Sequence, residues 1–206
     1  MKPADHKIYL ASKSPRRREL LRQIGVEFEL LLLRDQGPRG PDVSEDVLPG
    51  EKAEDYVVRV TREKAEHAWK MMMMRRLPAR PVLAADTTVV IDDRILGKPA
   101  DQEEAMDMLR ALSGRTHRVI TSVALHRDDE TLQLTQSSDV TLATLSEDRM
   151  RAYCATSEPY DKAGGYGIQG MAAIFVKHVA GSYTGIMGLP LHETAELLNQ
   201  AGIPTL

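Results

Sequence analysis

The sequence predicts an α/β fold in which strands and helices alternate, and three observations predict it. An apolar segment at 8–11 empties into a Ser-rich turn and an amphipathic helix. The longest helical pattern, 51–77, leads into a nearly continuous apolar strand at 81–91. A capped helix starting at Asp101 precedes two strand patterns, about 117–125 and 132–144. With 206 residues, 42% hydrophobic and 28% charged, the chain is long enough for one large domain or for two small lobes around a cleft.

The elements follow in order. After the first strand, Ser14 is placed to N-cap a helix over 15–24, with Pro15 at its first position and Gly25 just past its end. That helix buries Leu20, Leu21 and Ile24, and residues 28–33 read as a strand. Residues 34–50 are rich in Gly, Pro and Asp with no apolar period, which predicts a long loop. In the 51–77 helix, Ala53, Tyr56, Val57, Val60, Ala68 and Met72 share one face. Met71 to Met74 fit core and helix surface better than a metal-binding stretch. Asp92-Asp93 turns the 81–91 strand toward Ile95-Leu96. Asp101 with Glu104 starts a helix carrying Ala105, Met108, Leu109 and Leu112, stopped by Gly114. A turn at Arg127-Asp128-Asp129-Glu130 joins the next two strands, and Ser146 caps a short helix through Tyr153. Residues 172–179 read as a strand, 181–188 as a loop and 190–200 as a closing helix that buries Leu191, Ala195 and Leu198.

Composition excludes several functions. Twenty-seven basic and 30 acidic residues give a net charge of -3, so no global field holds a nucleic-acid polymer, and 4% aromatic content supplies no stacking platform. An anionic partner should be small. The single cysteine, Cys154, excludes an internal disulfide and fits a reducing compartment. No apolar run approaches the roughly 18 residues of a membrane span, and residues 1–7 are polar rather than a signal peptide. The expected location is the cytoplasm.

Four regions carry chemistry. Ser12-Lys13-Ser14-Pro15-Arg16-Arg17-Arg18 places free backbone N–H groups, the positive end of a helix and three cations together, which makes an anion socket or, alternatively, a solvated basic face. Lys64 falls near the centre of the apolar face of its helix, so it snorkels to the core edge or reaches into a polar cleft. Asp86 lies in an apolar strand, where an unpaired carboxylate costs several kcal/mol, and so demands a lysine, a metal or an unusual pKa. Lys98, in Gly97-Lys98-Pro99, follows within reach of the same hairpin and is a candidate partner. Finally, the segment from Glu158 to Gly170 has four glycines in the seven positions from Gly164, letting backbone approach a ligand, with Asp161, Lys162, Tyr166 and Gln169 supplying polar and aromatic groups.

Taken in order, Ser12-Lys13-Ser14-Pro15-Arg16-Arg17, Arg62-Glu63-Lys64-Ala65, Ala85-Asp86-Thr87, Gly97-Lys98-Pro99, Leu112-Ser113-Gly114, Asp161-Lys162-Ala163-Gly164, Tyr166-Gly167-Ile168-Gln169-Gly170 and Gly188-Leu189-Pro190-Leu191 resemble the Maf family of nucleoside triphosphate pyrophosphatases. The resemblance spans essentially the whole chain. It implies an elongated mixed sheet flanked by helices, with two lobes around a central cleft, formed by one domain over 1–206 and commonly assembled as a homodimer. It implies hydrolysis of a nucleoside triphosphate to the monophosphate and pyrophosphate with a divalent cation, Mg²⁺ first, Mn²⁺ or Co²⁺ as alternatives. Ala85-Asp86-Thr87 together with Tyr166-Gly167-Ile168-Gln169-Gly170 looks like the branch acting on dTTP and UTP, whereas the branch preferring 7-methyl-GTP usually has Ser-Asp-Gln at the first of these.

Carried over by position, Asp86 is the proton acceptor, and Ser12, Arg17, Lys64 and Lys98 make phosphate and catalytic contacts. Arg16, Thr87 and Gln169 bear on substrate choice, while Ser14 and Lys162 join the substrate-binding set. Where the family often has Asp-Val-Asp-Glu, this chain has Asp42-Val43-Ser44-Glu45 after an extra Gly/Pro-rich segment, and Glu45 aligns with the acidic, metal-assisting residue beside Asp86. The family's association with inhibition of septum formation supplies an alternative, a nucleotide-binding regulator acting through protein contacts.

Overall fold

The computed structural model describes residues 6–34 and 40–205, so residues 1–5 of the polar N-terminal stretch and 35–39 of the long loop lie outside the described residues. Strands β1 (Ile8–Leu10), β2 (Phe28–Leu30), β3 (Val82–Ile91), β4 (Arg94–Leu96), β5 (Thr116–Arg127), β6 (Glu130–Leu142) and β7 (Val176–Ala180) form one mixed sheet in the order β2-β1-β3-β5-β6-β7, with β4 added beside β3. The β1 pairings with β2 and β3 are parallel and all others antiparallel. Strands β5 and β6 have 12 and 13 residues. At about 3.3 Å per residue each runs roughly 40 Å, which elongates the sheet.

The period of two along β3 assigns its side chains to two faces. Val82 and Ala84 pack beneath helix α2 (Ala53–Met74) together with Ala65, Ala68 and Met72. On the other face, Leu83 and Ala85 join Leu20 and Leu21 of α1 (Pro15–Gln23) and Leu197 and Leu198 of α6 (Leu191–Gln200). Further along that face, Val89 and Ile91 belong to a separate core with Leu109 and Leu112 of α3 (Gln102–Leu112) and Met150 and Tyr153 of α4 (Glu147–Cys154). Thr87 falls between these two cores, and this division makes the two lobes.

The cleft has an equally simple origin in the pairing. Strand β1 leaves β3 after Leu83, where Ala11 N donates to the Leu83 carbonyl at 2.8 Å, and β4 joins only at Val89. Among the described residues, 84–88 have no strand neighbour on that edge. Two residues that the sequence marks for chemistry, Asp86 and Thr87, sit in this gap.

Local chemistry sets the ends of the helices as expected. Ser14 Oγ caps α1 by accepting from Arg17 N, and Asp101 caps α3 by accepting from Glu104 N at 2.9 Å. Gly25 takes φ +72°, the left-handed conformation that ends α1. Asp92 and Asp93, at φ 49° and 59°, form the two-residue turn between β3 and β4.

Five expectations need correction. Ile24, expected to be buried by the first helix, is its C-cap and only half-buried. The predicted strand at 28–33 ends at Leu30, because its partner β1 ends at Leu10. The predicted strand at 172–179 starts only at Val176; Met171–Phe175 is a 3-10 turn, since the Glu158 carboxylate takes the Met171 and Ala172 N–H groups at 2.8 and 3.2 Å. The predicted loop at 181–188 contains a one-turn helix, α5 (Tyr183–Ile186), capped by Ser182. Helix α6 buries Thr194, Leu197 and Leu198, leaving Leu191 and Ala195 half-buried. Thr194 accounts for the altered face, its N–H and Oγ1 both donating to the Pro190 carbonyl.

One buried polar contact makes stability pH-dependent. His117 is 2% exposed and its Nε2 lies 2.6 Å from Tyr166 Oη, and burial pulls its pKa down from 6.5 to about 4. The unfolded chain therefore binds the extra proton first. Stability from this site is complete above pH 6.5 and declines as pH falls toward 4, by about 3 kcal/mol in all. Urea unfolding of the wild type and His117→Gln across pH 4–7 should show a shallower acid decline in the variant; parallel curves would exclude His117 as the source.

Candidate active site

A cleft of about 350 Å³ opens where β3 has no neighbour. One wall is the turn from β1 into α1. Ser14 N donates to Ser12 Oγ at 3.2 Å, folding the turn on itself so that its start faces the cleft. The three adjacent arginines separate from one another. Arg17 turns inward, with Nε donating to the Gly188 carbonyl at 2.6 Å, Nη1 to Ser12 Oγ at 3.3 Å and Nη2 to Thr87 Oγ1 at 3.2 Å. Burial lowers its pKa from the ordinary arginine value, with the Asp86 carboxylate opposing that shift. Arg16 lines the cleft, with Nη1 3.9 Å from Asp161 Oδ2 on the opposite side. Arg18 turns back to donate to the Lys13 carbonyl at 2.9 Å. The anion socket expected from three cations is thus built from two, because α1 carries successive side chains around its circumference.

The opposite wall is a charge cluster. Lys64 Nζ lies 2.7 Å from Asp86 Oδ1 and 2.6 Å from Glu45 Oε1. Its side chain is only 14% exposed, so Lys64 reaches into the polar cleft instead of snorkelling to the edge. Burial pulls the Lys64 pKa down, but the two carboxylates outweigh burial and the net shift is upward. For Glu45 burial acts upward, and Lys64, Lys98 and Arg17 reverse it to leave the carboxyl below its usual range. The ion-pair partner of Asp86 among the described residues is Lys64 and not Lys98. Lys98 is an exposed residue of the cleft lining whose charge bears on Glu45.

Glu45 reaches this cluster because the described part of the long loop is tied to α2. Tyr56 Oη donates to the Glu45 carbonyl at 3.1 Å, and Arg59 Nη2 donates to the Asp46 carbonyl at 2.9 Å while Nε holds Glu51 Oε1 at 2.6 Å. The loop therefore delivers a carboxylate to the site. Tyr56 and Arg59 hold this loop in place; the sequence marked Tyr56 only as part of the apolar face of α2 and did not single out Arg59.

The Gly-rich segment closes the rim. Its glycines approach protein and not only ligand. Gly164 has φ +72°, and a Cβ there would lie 2.9 Å from Val89 Cγ1; a Cβ at Gly170 would run into the Glu158 carboxylate. Gly164 N also donates to the Gly97 carbonyl at 2.9 Å, docking the segment on the β3–β4 hairpin. Lys162 lines the cleft with Nζ bonded to the Glu158 carbonyl at 2.7 Å and paired with Asp161, and Gln169 is exposed at the rim. All eleven sequence-derived candidates, Ser12, Ser14, Arg16, Arg17, Glu45, Lys64, Asp86, Thr87, Lys98, Lys162 and Gln169, line this one cleft. No group of three or more His, Cys, Asp or Glu side chains able to hold a metal ion occurs among the described residues. No helix of the described residues is long and apolar enough to cross a membrane.

An α/β molecule split by a cleft, with a cationic turn facing a lysine held between two carboxylates, has the form of an anion-handling, proton-transferring site. The family to which the chain belongs is Maf: the model described as Maf-like protein matches residues 7–201. The dTTP/UTP pyrophosphatase of Aromatoleum aromaticum is 54% identical over 99% of this chain and 100% of its own length. The dTTP/UTP pyrophosphatase of Dechloromonas aromatica is 50% identical over 97% and 100%, and that of Chromobacterium violaceum 50% over 98% of each. Among solved structures, the Staphylococcus aureus Ham1 protein aligns with a TM-score of 0.44 and 17% identity over 66% of this chain and 72% of its own.

Proposed function

We propose that this protein is a nucleoside triphosphate pyrophosphatase that hydrolyses dTTP and UTP to the monophosphate and pyrophosphate. The observation that carries the proposal is Lys64 held between Asp86 and Glu45 across one cleft from the Ser12–Arg17 turn. The names borne by the near full-length relatives support the substrate class.

The residues divide the work by charge. The triphosphate seats against the Ser12, Ser14, Arg16 and Arg17 turn, with Lys64 and Lys98 closing on it from the opposite wall. Water attacks the α-phosphorus, forming a new P–O bond as the α–β bridging bond breaks. Asp86 takes the water proton, the bridging electron pair leaves with pyrophosphate, and the cations offset the charge that develops. Gln169 at the rim reads the uracil edge by donating its amide N–H to a carbonyl oxygen of the base, while Thr87 and Lys162 fix the nucleotide beside it.

The donor set suits a divalent cation. Two carboxylates are too few for an all-protein cage but match Mg²⁺, which takes one or two carboxylates and completes its shell with phosphate and water oxygens. Asp86 and Glu45 would hold it, and the chemistry it supplies is neutralisation of phosphate charge. Residues 1–206 acting as one domain, homodimer assembly and a cytoplasmic location belong to the same proposal.

Pyrophosphate release from dTTP, UTP, CTP, GTP and 7-methyl-GTP with Mg²⁺ tests it. Release is expected from dTTP and UTP. Activity confined to 7-methyl-GTP would overturn the substrate assignment, and no release from any of them would overturn the enzyme.

A further inference from the structure

Thr121 lies in β5 with no exposed surface, opposite Thr87 in the sheet register. Its hydroxyl completes a chain that starts at the cleft: Arg17 Nη2 to Thr87 Oγ1 at 3.2 Å, Thr87 Oγ1 to Thr121 Oγ1 at 2.9 Å, and Thr121 Oγ1 to the Gly185 carbonyl at 2.8 Å. The ends of this chain fix its direction. A guanidinium can only donate, and a carbonyl can only accept. Thr121 therefore gives its single proton to Gly185, and the middle bond has one polarity left, with Thr87 donating to Thr121.

The consequence appears at the cleft wall. Thr87 Oγ1 has one proton and two lone pairs; the proton goes to Thr121 and one lone pair to Arg17. What remains for a ligand is one acceptor and no donor. Such an oxygen repels phosphate oxygens. It can meet the uracil or thymine edge at one point, N3–H, because O2 and O4 are themselves acceptors. Cytosine carries a bare lone pair at N3, which would face the Thr87 lone pair.

We propose that Thr121 is a positioning residue for substrate choice: by taking the Thr87 proton it holds Thr87 as an acceptor for the pyrimidine N3–H and thereby disfavours CTP. The inference rests on the dTTP/UTP reading above. It concerns a buried residue that touches no substrate and acts only by setting the polarity of one that does. Without an acceptor at position 121, the Thr87 hydroxyl can rotate and donate, so that cytosine N3 becomes a partner.

The test compares kcat/KM for UTP and CTP, with Mg²⁺, in the wild type and three variants. Thr121→Val has nearly the same shape, and the Gly185 carbonyl keeps its bond from Gly188 N at 2.9 Å, so no orphaned carbonyl results. Thr121→Ala removes the acceptor by a second route should valine disturb folding, and Thr121→Ser retains it. The UTP-to-CTP preference is expected to fall about tenfold or more in the valine and alanine variants and to stay near wild type in the serine variant. A structural role alone would lower the melting temperature or both rates together, and an unchanged ratio in the valine and alanine variants would overturn the inference. A ratio lost equally in the serine variant would do the same. A wild type inactive on UTP would instead overturn the reading on which the inference rests, so the two failures are told apart before any variant is compared.

Discussion

Asp86→Asn is expected to lower the rate of pyrophosphate release from dTTP and UTP by about 10²–10⁴-fold, the range for losing a positioned general base. The substitution keeps the shape of the side chain, and Lys64 keeps its second partner, Glu45, at 2.6 Å. The fold should therefore survive. At saturating Mg²⁺, removing a negative charge from a cleft that receives a triphosphate does not weaken attraction, so the loss should fall on kcat with KM unchanged or lowered. Steady-state kinetics checks this, with thermal unfolding to establish that the variant is folded. A kcat within tenfold of wild type, or a loss carried by KM alone, would remove Asp86 from the proton-acceptor role.

Lys64→Met tests the cluster from the other side. Methionine fills the space of the lysine stem but leaves the Asp86 and Glu45 carboxylates facing one another with no cation between them. Breaking a buried charge group in this way costs about 3 kcal/mol, the low end of the usual range because Glu45 is 48% exposed. The sign of the pH dependence also reverses. In the wild type the Glu45 carboxyl is held below its ordinary value, so its contribution is present at neutral pH and is lost as acid protonates it. In the variant, burial together with repulsion from Asp86 outweighs Lys98 and Arg17 and raises the Glu45 carboxyl above its unfolded value, the native state binds the proton first, and stability recovers as pH falls from 7 toward 5. The stability difference between wild type and variant should therefore narrow on acidification, a comparison in which the His117 contribution is common to both. A difference independent of pH would mean that the carboxylates are not coupled through Lys64.

How much of the site was legible depended on whether its cause was local. The N-cap at Ser14, the stop at Gly25 and the turn at Asp92-Asp93 follow from neighbours within a few residues, and the structure has each in place. Lys64 and Asp86 stood out because each violates the apolar period of its own element, and an unsatisfied charge in such a place needs a partner wherever the chain finds one. That they would partner each other was not written in either segment. The third member, Glu45, was legible only by resemblance, since its position depends on Tyr56 and Arg59 gripping a loop with no period of its own.

Most of the alternation of elements, their caps and the anomalous residues are legible in short stretches of chain, because hydrogen bonding at helix ends and the periods of 3.6 and 2 are local properties. Which of three adjacent arginines turns inward was set by packing, since Arg17 is fixed by a carbonyl 171 residues away. Packing likewise dictated that residues 171–175 leave the sheet, that the cleft opens where β1 ends before β4 begins, and that Thr121 stands behind Thr87. The physical reason is the same in each case. The energy of a buried polar group is set by the partner it meets, and that partner arrives from a distant part of the chain.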